Sequence, residues 1–420
     1  MIKVFKYKKN FIQKLNKFLD NRRLGKNINT SVVPKILKDI KKNKLKALRK
    51  YEKRFSQNSE IKLNKTKINQ SIKSLDPKIK RAIDFAYKRI FKFHSKQKIQ
   101  DILYKDKYKN KLEYKNLPLL SVGIYVPANL PSTLLMNAIP AKIAGVKRIV
   151  LANPKLNNNL NPAVLYAAKK IGIKEIYSMG GAQAIGSLAY IQKVNKIIGP
   201  GNVYVTRAKR EVFGSVGIEG MIAGPSEITI VADKKTNLEE VLTSMIGQAE
   251  HDINSQCILI TKDNKLIQSI QKNIKQKLKN LPRKKIAIKS LKNNGLIIQT
   301  QNDKQILNAI NEIAPEHLEL NISNYKKYLN KIYNAGSICI GQYSPMALSD
   351  YNVGTNHVLP TLGSAKFSSG LNLNEFYKKI SHITLSKKGV EKIGEYATYL
   401  AEYEELYGHA QSIRSRMRRK

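Results

Sequence analysis

Tryptophan is absent from this chain, cysteine occurs twice and histidine six times in 420 residues, and the acids are outnumbered by the bases, 30 to 76. Each shortage excludes something. Cys257 and Cys339 lie inside the apolar runs SQCILIT and GSICIGQ and share no CxxC spacing. Neither a disulfide scaffold nor a cysteine-rich metal knuckle therefore organises the fold, and a reducing compartment fits. No apolar run approaches the roughly 20 residues that a membrane-crossing helix needs. The N-terminus, MIKVFKYKKNFIQKLNKFLD, carries lysine in every turn where a secretory signal has a continuous apolar stretch. A cytoplasmic location without membrane contact is expected. The formal net charge of +46 invites a nucleic-acid reading. The excess is mostly lysine, spread over stretches such as 34–54 and 264–289, and abundant lysine, isoleucine and asparagine without tryptophan is the pattern that AT-rich codons leave. Nucleic acid is therefore not the expected partner.

The length allows two or more domains. Helical spacing of Val4, Phe5, Phe11, Ile12, Leu15, Phe18 and Leu19 predicts a basic amphipathic helix over 1–20, with further helices over 31–55 and 76–100. His94, in the last of these, has no second ligand at a helical neighbour position and is expected to be structural. From Leu117 onward strand and helix alternate. PLLSVGIYVP, PSTLLMNAIPAKIAGV and KRIVLANP form a βαβ unit, followed by a helix at 162–171, the strand EIYSM and the run GGAQAIGSLAY. Gly180-Gly181 and Gly199-Pro200-Gly201-Asn202 each precede a helix, and backbone N–H groups at a helix start suit phosphate. No G-x-G-x-x-G occurs here, so the standard dinucleotide fingerprint is missing.

The scarce histidines sit in company. Gln248 and His251, in IGQAEHD, share a helix face at a spacing suited to one metal ion, although an ordinary helix face has the same spacing. Asp350 and His357 flank Gly354 in SPMALSDYNVGTNHVLPT. Glu404 and His409 lie on a tail that reads as one long helix from 388, where they diverge by about 140 degrees. Both address one site only if Gly408 ends or bends that helix or if they meet different parts of a ligand. In APEHLEL, Glu316 adjoins His317 behind Pro315, a residue suited to the first position of a helix or the end of a loop. Neighbouring side chains point to different sides of whatever lies between them, which suits two separate proton transfers on one substrate.

The segments VGIYVP, LMNAIPAKIAGVKRIV, GGAQAIGSLAY, KIIGPGNVYVTRAKR, AGPSE, QAEHD, APEHLEL, SDYNVGTNHVLPT and FSSGL, in this order, resemble the histidinol dehydrogenase family. The likeness spans roughly 120 to 375 and continues weakly to the C-terminus. It implies oxidation of L-histidinol to L-histidine through L-histidinal with two NAD, the last steps of histidine biosynthesis. It also implies one zinc ion per subunit held by Gln248, His251, Asp350 and His409. Ser226, His357 and Glu404 would touch the substrate, together with His317 and the zinc ligands. His317 would be the general base that takes the alcohol proton, and Glu316 would activate water to attack the aldehyde. Tyr125, Gln183 and Asn202 match the family's NAD contacts. The implied fold is α/β, with two incomplete Rossmann-like domains. The first is formed by 22–124 and 227–370, and the second, inserted, by 125–226. Helical extensions at 1–21 and 371–420 would complete an intertwined homodimer with shared sites, Glu404 and His409 coming from the partner subunit. The turns after Tyr125 and Tyr190 are shorter than the family's. The alternatives are accordingly a non-catalytic descendant that keeps the metal, a dehydrogenase of the same architecture for another amino alcohol, and a basic nucleic-acid-binding protein.

Overall fold

A computed structural model describes residues 2–23, 29–97, 99–156, 159–219 and 224–417. Runs such as EITIVA, QCILIT and GLIIQ are apolar at successive positions, which suits strands covered on both faces, the condition of a parallel sheet. They form the centre of a six-stranded parallel sheet in the order Lys3–Lys6, Gly295–Gln299, Gln256–Thr261, Glu227–Ala232, His317–Asn321, Ser337–Ile340. A second, five-stranded parallel sheet runs Glu175–Tyr177, Arg148–Ala152, Ser121–Tyr125, Lys196–Ile198, Gly217–Ile218. The expected α/β class with parallel sheets is therefore found. Alternate side chains of each strand feed separate cores: Val150 and Ala152 pack on one face of the five-stranded sheet and Leu151 on the other. A three-stranded antiparallel sheet, Tyr377–Thr384, Lys111–Pro118, Ile102–Lys105, stands apart with Ile102, Leu103, Tyr104 and Ile383 exposed.

Three expectations are corrected. The helix expected over 1–20 is a strand, Lys3–Lys6, followed by a helix, Phe11–Arg23. Asn10 at φ 67 separates them. The strand pairs with Gly295–Gln299, and Phe5 meets Phe18 edge to ring at 5.8 Å, so this segment belongs to the six-stranded sheet and is not a helical extension. The C-terminal tail is two helices, Lys387–Tyr403 and Tyr407–Met417, and not one. The break falls at Glu405, φ 58, ahead of Gly408, where a bend was one of the conditions for Glu404 and His409 to address one site. It folds the second helix back onto the first, so closely that a Cβ on Gly394 would lie 2.8 Å from the Met417 sulfur.

The third correction concerns grouping. Val32–Ser56 and Pro77–His94 were expected to join the segment 227–370, but they pack on the five-stranded sheet with 121–218. Gly186 explains the first of these contacts. A Cβ there would come within 3.0 Å of Leu37 and 3.1 Å of Ile40, so the helix approaches where a side chain is missing. His94 is buried, with Nδ1 3.2 Å from Gln97 Oε1, and serves this packing.

Asp303, in the first turn of the helix Asp303–Ile313, accepts hydrogen bonds from Lys262 (3.0 Å) and the Tyr328 hydroxyl (2.7 Å) and pairs with Lys327. The Lys327 bond, then that of Tyr328, hold its carboxyl well below the usual carboxylate range. A depressed carboxyl contributes stability above its unfolded pKa of about 4 and loses it as the pH falls. Asp303→Asn is expected to cost about 1 kcal/mol at pH 7, discounted for solvent screening. The gap in melting temperature between variant and wild type should close as the pH is lowered through 4 and below. A gap that does not shrink at all between pH 4 and the lowest pH at which both proteins still fold would show that the charge is not its source.

Candidate active site

A cavity of about 910 Å³ lies between the two parallel sheets. The five-stranded sheet presents the C-terminal ends of its strands to it: Tyr125 ends one strand, Gly199 follows a second and Glu219 a third. Strand order reverses between Ser121–Tyr125 and Lys196–Ile198, the place where open α/β sheets receive ligands. The six-stranded sheet presents the opposite ends of its strands, so that Ser226, Glu316 and His317 enter from the starts of Glu227–Ala232 and His317–Asn321. Gln248 and His251 come from the C-terminal end of the helix Leu238–Ala249, where the helix dipole favours a cation nearby. Asp350 and His357 arrive from the loop after Met346–Ser349.

APEHLEL neither opens a helix nor lies on one. Ala314, at φ 49, ends the helix Asp303–Ile313, Pro315 closes the loop, and His317 is the first residue of a strand. Strand geometry sends the two neighbours to opposite sides. The Glu227 N–H donates to Glu316 Oε2 (2.7 Å), whereas His317 Nε2 lies 3.6 Å from Asp350 Oδ1. Burial, then the Glu227 charge, lifts the Glu316 carboxyl well above the ordinary range. Burial, then the neighbouring His357 and His251, pull the His317 imidazole down to about 3, so it is neutral near neutral pH. Its Nδ1 is buried without a hydrogen-bond partner among the described residues. His357 Nδ1 lies 2.7 Å from the Asp350 carbonyl oxygen. A carbonyl only accepts, so that nitrogen carries the proton and Nε2 is left as an acceptor. Burial pushes the Asp350 carboxyl up to about 7 and pulls His357 down to about 4.

On the other wall, a Cβ on Gly199 would fall 2.0 Å from the Tyr125 carbonyl oxygen, and its φ is +101. Only glycine allows the turn to pass so close beneath Tyr125. Asn202 spends its side-chain oxygen capping the helix Val203–Val212, on the N–H groups of Tyr204 and Val205, both at 3.1 Å. It therefore offers a ligand only its amide donors.

The family model for histidinol dehydrogenase matches residues 21–417. The chain belongs to the histidinol dehydrogenase family. It is an oxidoreductase of histidine biosynthesis. The histidinol dehydrogenase of Pelagibacter ubique is 58% identical, with all of both chains covered. That of Listeria monocytogenes is 43% identical over 96% of this chain and 97% of its own. The crystal structure of histidinol dehydrogenase from Elizabethkingia anophelis superposes with a TM-score of 0.91 at 36% identity, covering 99% of this chain and 98% of that one.

Of the residues matched to the family's motifs, Tyr125, Asn202, Ser226, Gln248, His251, Glu316, His317, Asp350 and His357 line the one cavity. Three do not. Gln183 is buried away from the cavity lining and donates from Nε2 to Glu52 Oε1 (2.9 Å), which also accepts from the Gly180 N–H (2.9 Å). Glu52 is a buried carboxylate that helical spacing alone could not reveal. Glu404 and His409 are exposed on the C-terminal helix pair and take no part in this chain's own cavity.

Arg22 and Glu227 belong to the site's frame and were not singled out. Arg22, almost wholly buried, pairs with Glu227 and bonds the Pro225 carbonyl, and its Nε donates to the Asn254 carbonyl (2.9 Å). Glu227 also accepts from the Leu362 N–H (2.9 Å), and its own N–H holds Glu316. The glutamate was visible inside AGPSE. Arg22 stands among lysines, and nothing local marks it.

Proposed function

We propose that this chain oxidises L-histidinol to L-histidine through L-histidinal, using two NAD and one zinc ion per subunit in sites shared between the copies of a homodimer. The observation that carries the reading is the meeting of Glu316, His317, Gln248, His251, Asp350 and His357 on one wall of a cavity whose other wall holds Tyr125 and Asn202.

The donor set fits a cation. Gln248 offers an amide oxygen, His251 an imidazole nitrogen and Asp350 a carboxylate, all on one wall of the cavity, and burial raises the Asp350 carboxyl as expected where no counter-charge offsets it. Among the described residues no three His, Cys, Asp or Glu side chains of one chain converge into a metal cage. A fourth ligand from outside the chain, His409 of a second copy, completes the set in this reading. The helix before it, Lys387–Tyr403, onto which the helix of His409 folds back, bears a row of exposed side chains, Tyr396, Tyr399, Leu400 and Tyr403, too apolar to face water in a finished assembly. Gln248, His251, Asp350 and His409 would hold zinc, which when bound supplies a Lewis acid and a grip on the imidazole and amine of the substrate. NAD, when bound, supplies the hydride acceptor.

The chain's own residues handle protons. His317, neutral and walled by Asp350, takes the alcohol proton during the first oxidation. Glu316, held by the Glu227 N–H, takes a proton from the water that adds to the aldehyde. His317 then takes the hydroxyl proton of the hydrate in the second oxidation. Ser226, His357 and Glu404 position the substrate. The decisive assay is NADH formation from L-histidinol by purified protein, before and after chelation and zinc restoration. Two NADH per histidine, lost on chelation and regained with zinc, are expected. No NADH from the zinc-restored protein would overturn the reading.

A further inference from the structure

We propose that Glu219 receives the adenosine ribose of the cofactor and makes the site select NAD over NADP, an inference that rests on the dinucleotide reading of the cavity above. Lys196–Ile198, the turn Gly199-Pro200-Gly201-Asn202, the helix Val203–Val212 and Gly217–Ile218 form a βαβ unit whose two strands are parallel neighbours. Gly199 is the first residue beyond one strand and Glu219 the first beyond the other, and both line the cavity. The spacing of about 20 residues from glycine turn to acid is that of nucleotide-binding βαβ units, although the glycine fingerprint itself is absent. In such units the helix start takes phosphate and the acid at the next strand end takes ribose hydroxyls, which donate to it.

The side chain is built for that part. Glu219 Oε2 is buried at the cavity wall with no hydrogen-bond partner among the described residues, an acceptor waiting for a donor. Its backbone is pinned by Lys209. That lysine is fully buried under the turn and donates from Nζ to the carbonyl oxygens of Gly199 (2.6 Å) and Glu219 (3.1 Å). One ammonium thus fixes the phosphate-facing turn and the acid relative to each other. Neither lysine described beside the acid is free for a 2′-phosphate. Lys209 is committed to the two carbonyls, and Lys196, the nearby alternative, is paired with Glu375, itself on the cavity wall. A 2′-phosphate would meet carboxylates in a buried place, which like-charge repulsion forbids.

The test compares kcat/KM for NAD and NADP, with L-histidinol, in wild type and Glu219→Gln, and measures binding of NAD and of its 2′-deoxyadenosine analogue to wild type. Losing a hydrogen bond to a charged acceptor should weaken binding by about tenfold or more, both for the analogue on wild type and for NAD on the variant. The kcat of the variant with saturating NAD should stay within about twofold, because the ribose contact is uniform to ground and transition states. Its preference for NAD over NADP should shrink by at least about tenfold. Equal binding of NAD and the deoxy analogue by wild type overturns the assignment even if the variant fails to fold. So does an unchanged cofactor preference in a folded variant. Wild type that reduces neither cofactor overturns the dinucleotide reading, and this inference with it.

Discussion

Glu316→Gln is expected to stop the reaction at the aldehyde. The first oxidation needs a base for the alcohol proton, the role given to His317, and asks nothing of Glu316. The second needs water to add to the aldehyde, and an amide cannot take the proton that water must lose. General-base contributions of about 10²–10⁴-fold set the expected loss in histidinal oxidation, while alcohol oxidation should fall by no more than about fivefold. The variant should fold. Glu316 is buried beside Glu227, whose charge is the second cause, after burial, of its raised carboxyl, so neutralising it removes a repulsion rather than a pairing. The glutamine oxygen can still accept from the Glu227 N–H that now donates to Glu316 Oε2 (2.7 Å). The measurement is product analysis after one turnover, supported by direct assay on L-histidinal. One NADH per histidinol with accumulated aldehyde is the expected outcome. Equal losses in both halves would reassign Glu316 to the frame of the site, together with Glu227 and Arg22. Unchanged histidine output would remove it from the chemistry altogether.

Mixing two inactive variants should restore activity. His317→Ala removes the base from a chain's own cavity, whereas His409→Ala removes a group that is exposed and outside that cavity. In a homodimer with shared sites, a hybrid of the two variants holds one site with both defects and one with neither. Random reassortment makes half of the dimers hybrids, so activity should recover to roughly a quarter of wild type from parents each reduced at least about 100-fold. Co-expression with two affinity tags isolates the hybrid, for which roughly half of wild-type activity is expected on the same reasoning. Activity that stays at the level of the parents would place His409 in its own chain's site or in none. The exposed Tyr396, Tyr399, Leu400 and Tyr403 beside Glu404 motivate the expectation, since an unpartnered surface of this kind is costly in water.

Much of this was legible along the chain. Apolar runs of five and six residues marked the parallel strands, because a strand covered on both faces has no room for polar residues, and that condition is written locally. The segments around Gly199, Gln248, Glu316 and Asp350 could be read the same way, since each is a short stretch whose residue types and spacing limit its chemistry. The misreadings share one cause. Lys3–Lys6 has the composition of a basic helix and became a strand because the edge beside Gly295–Gln299 offered it backbone partners. The tail broke at Glu405 because folding back buried the helices against each other at Gly394. Gln183 matched a motif, yet a carboxylate on a helix more than a hundred residues earlier took its amide. Arg22, Glu52 and Lys209 were invisible for the same reason. A buried charge is defined by the partners that replace its water, and those partners come from remote parts of the chain. The sequence by itself determined the strands, the turns and the kinds of chemistry available. Only the tertiary structure decided which groups share the cavity and which face away from it, because local preference is a property of neighbours in sequence and burial is a property of neighbours in space.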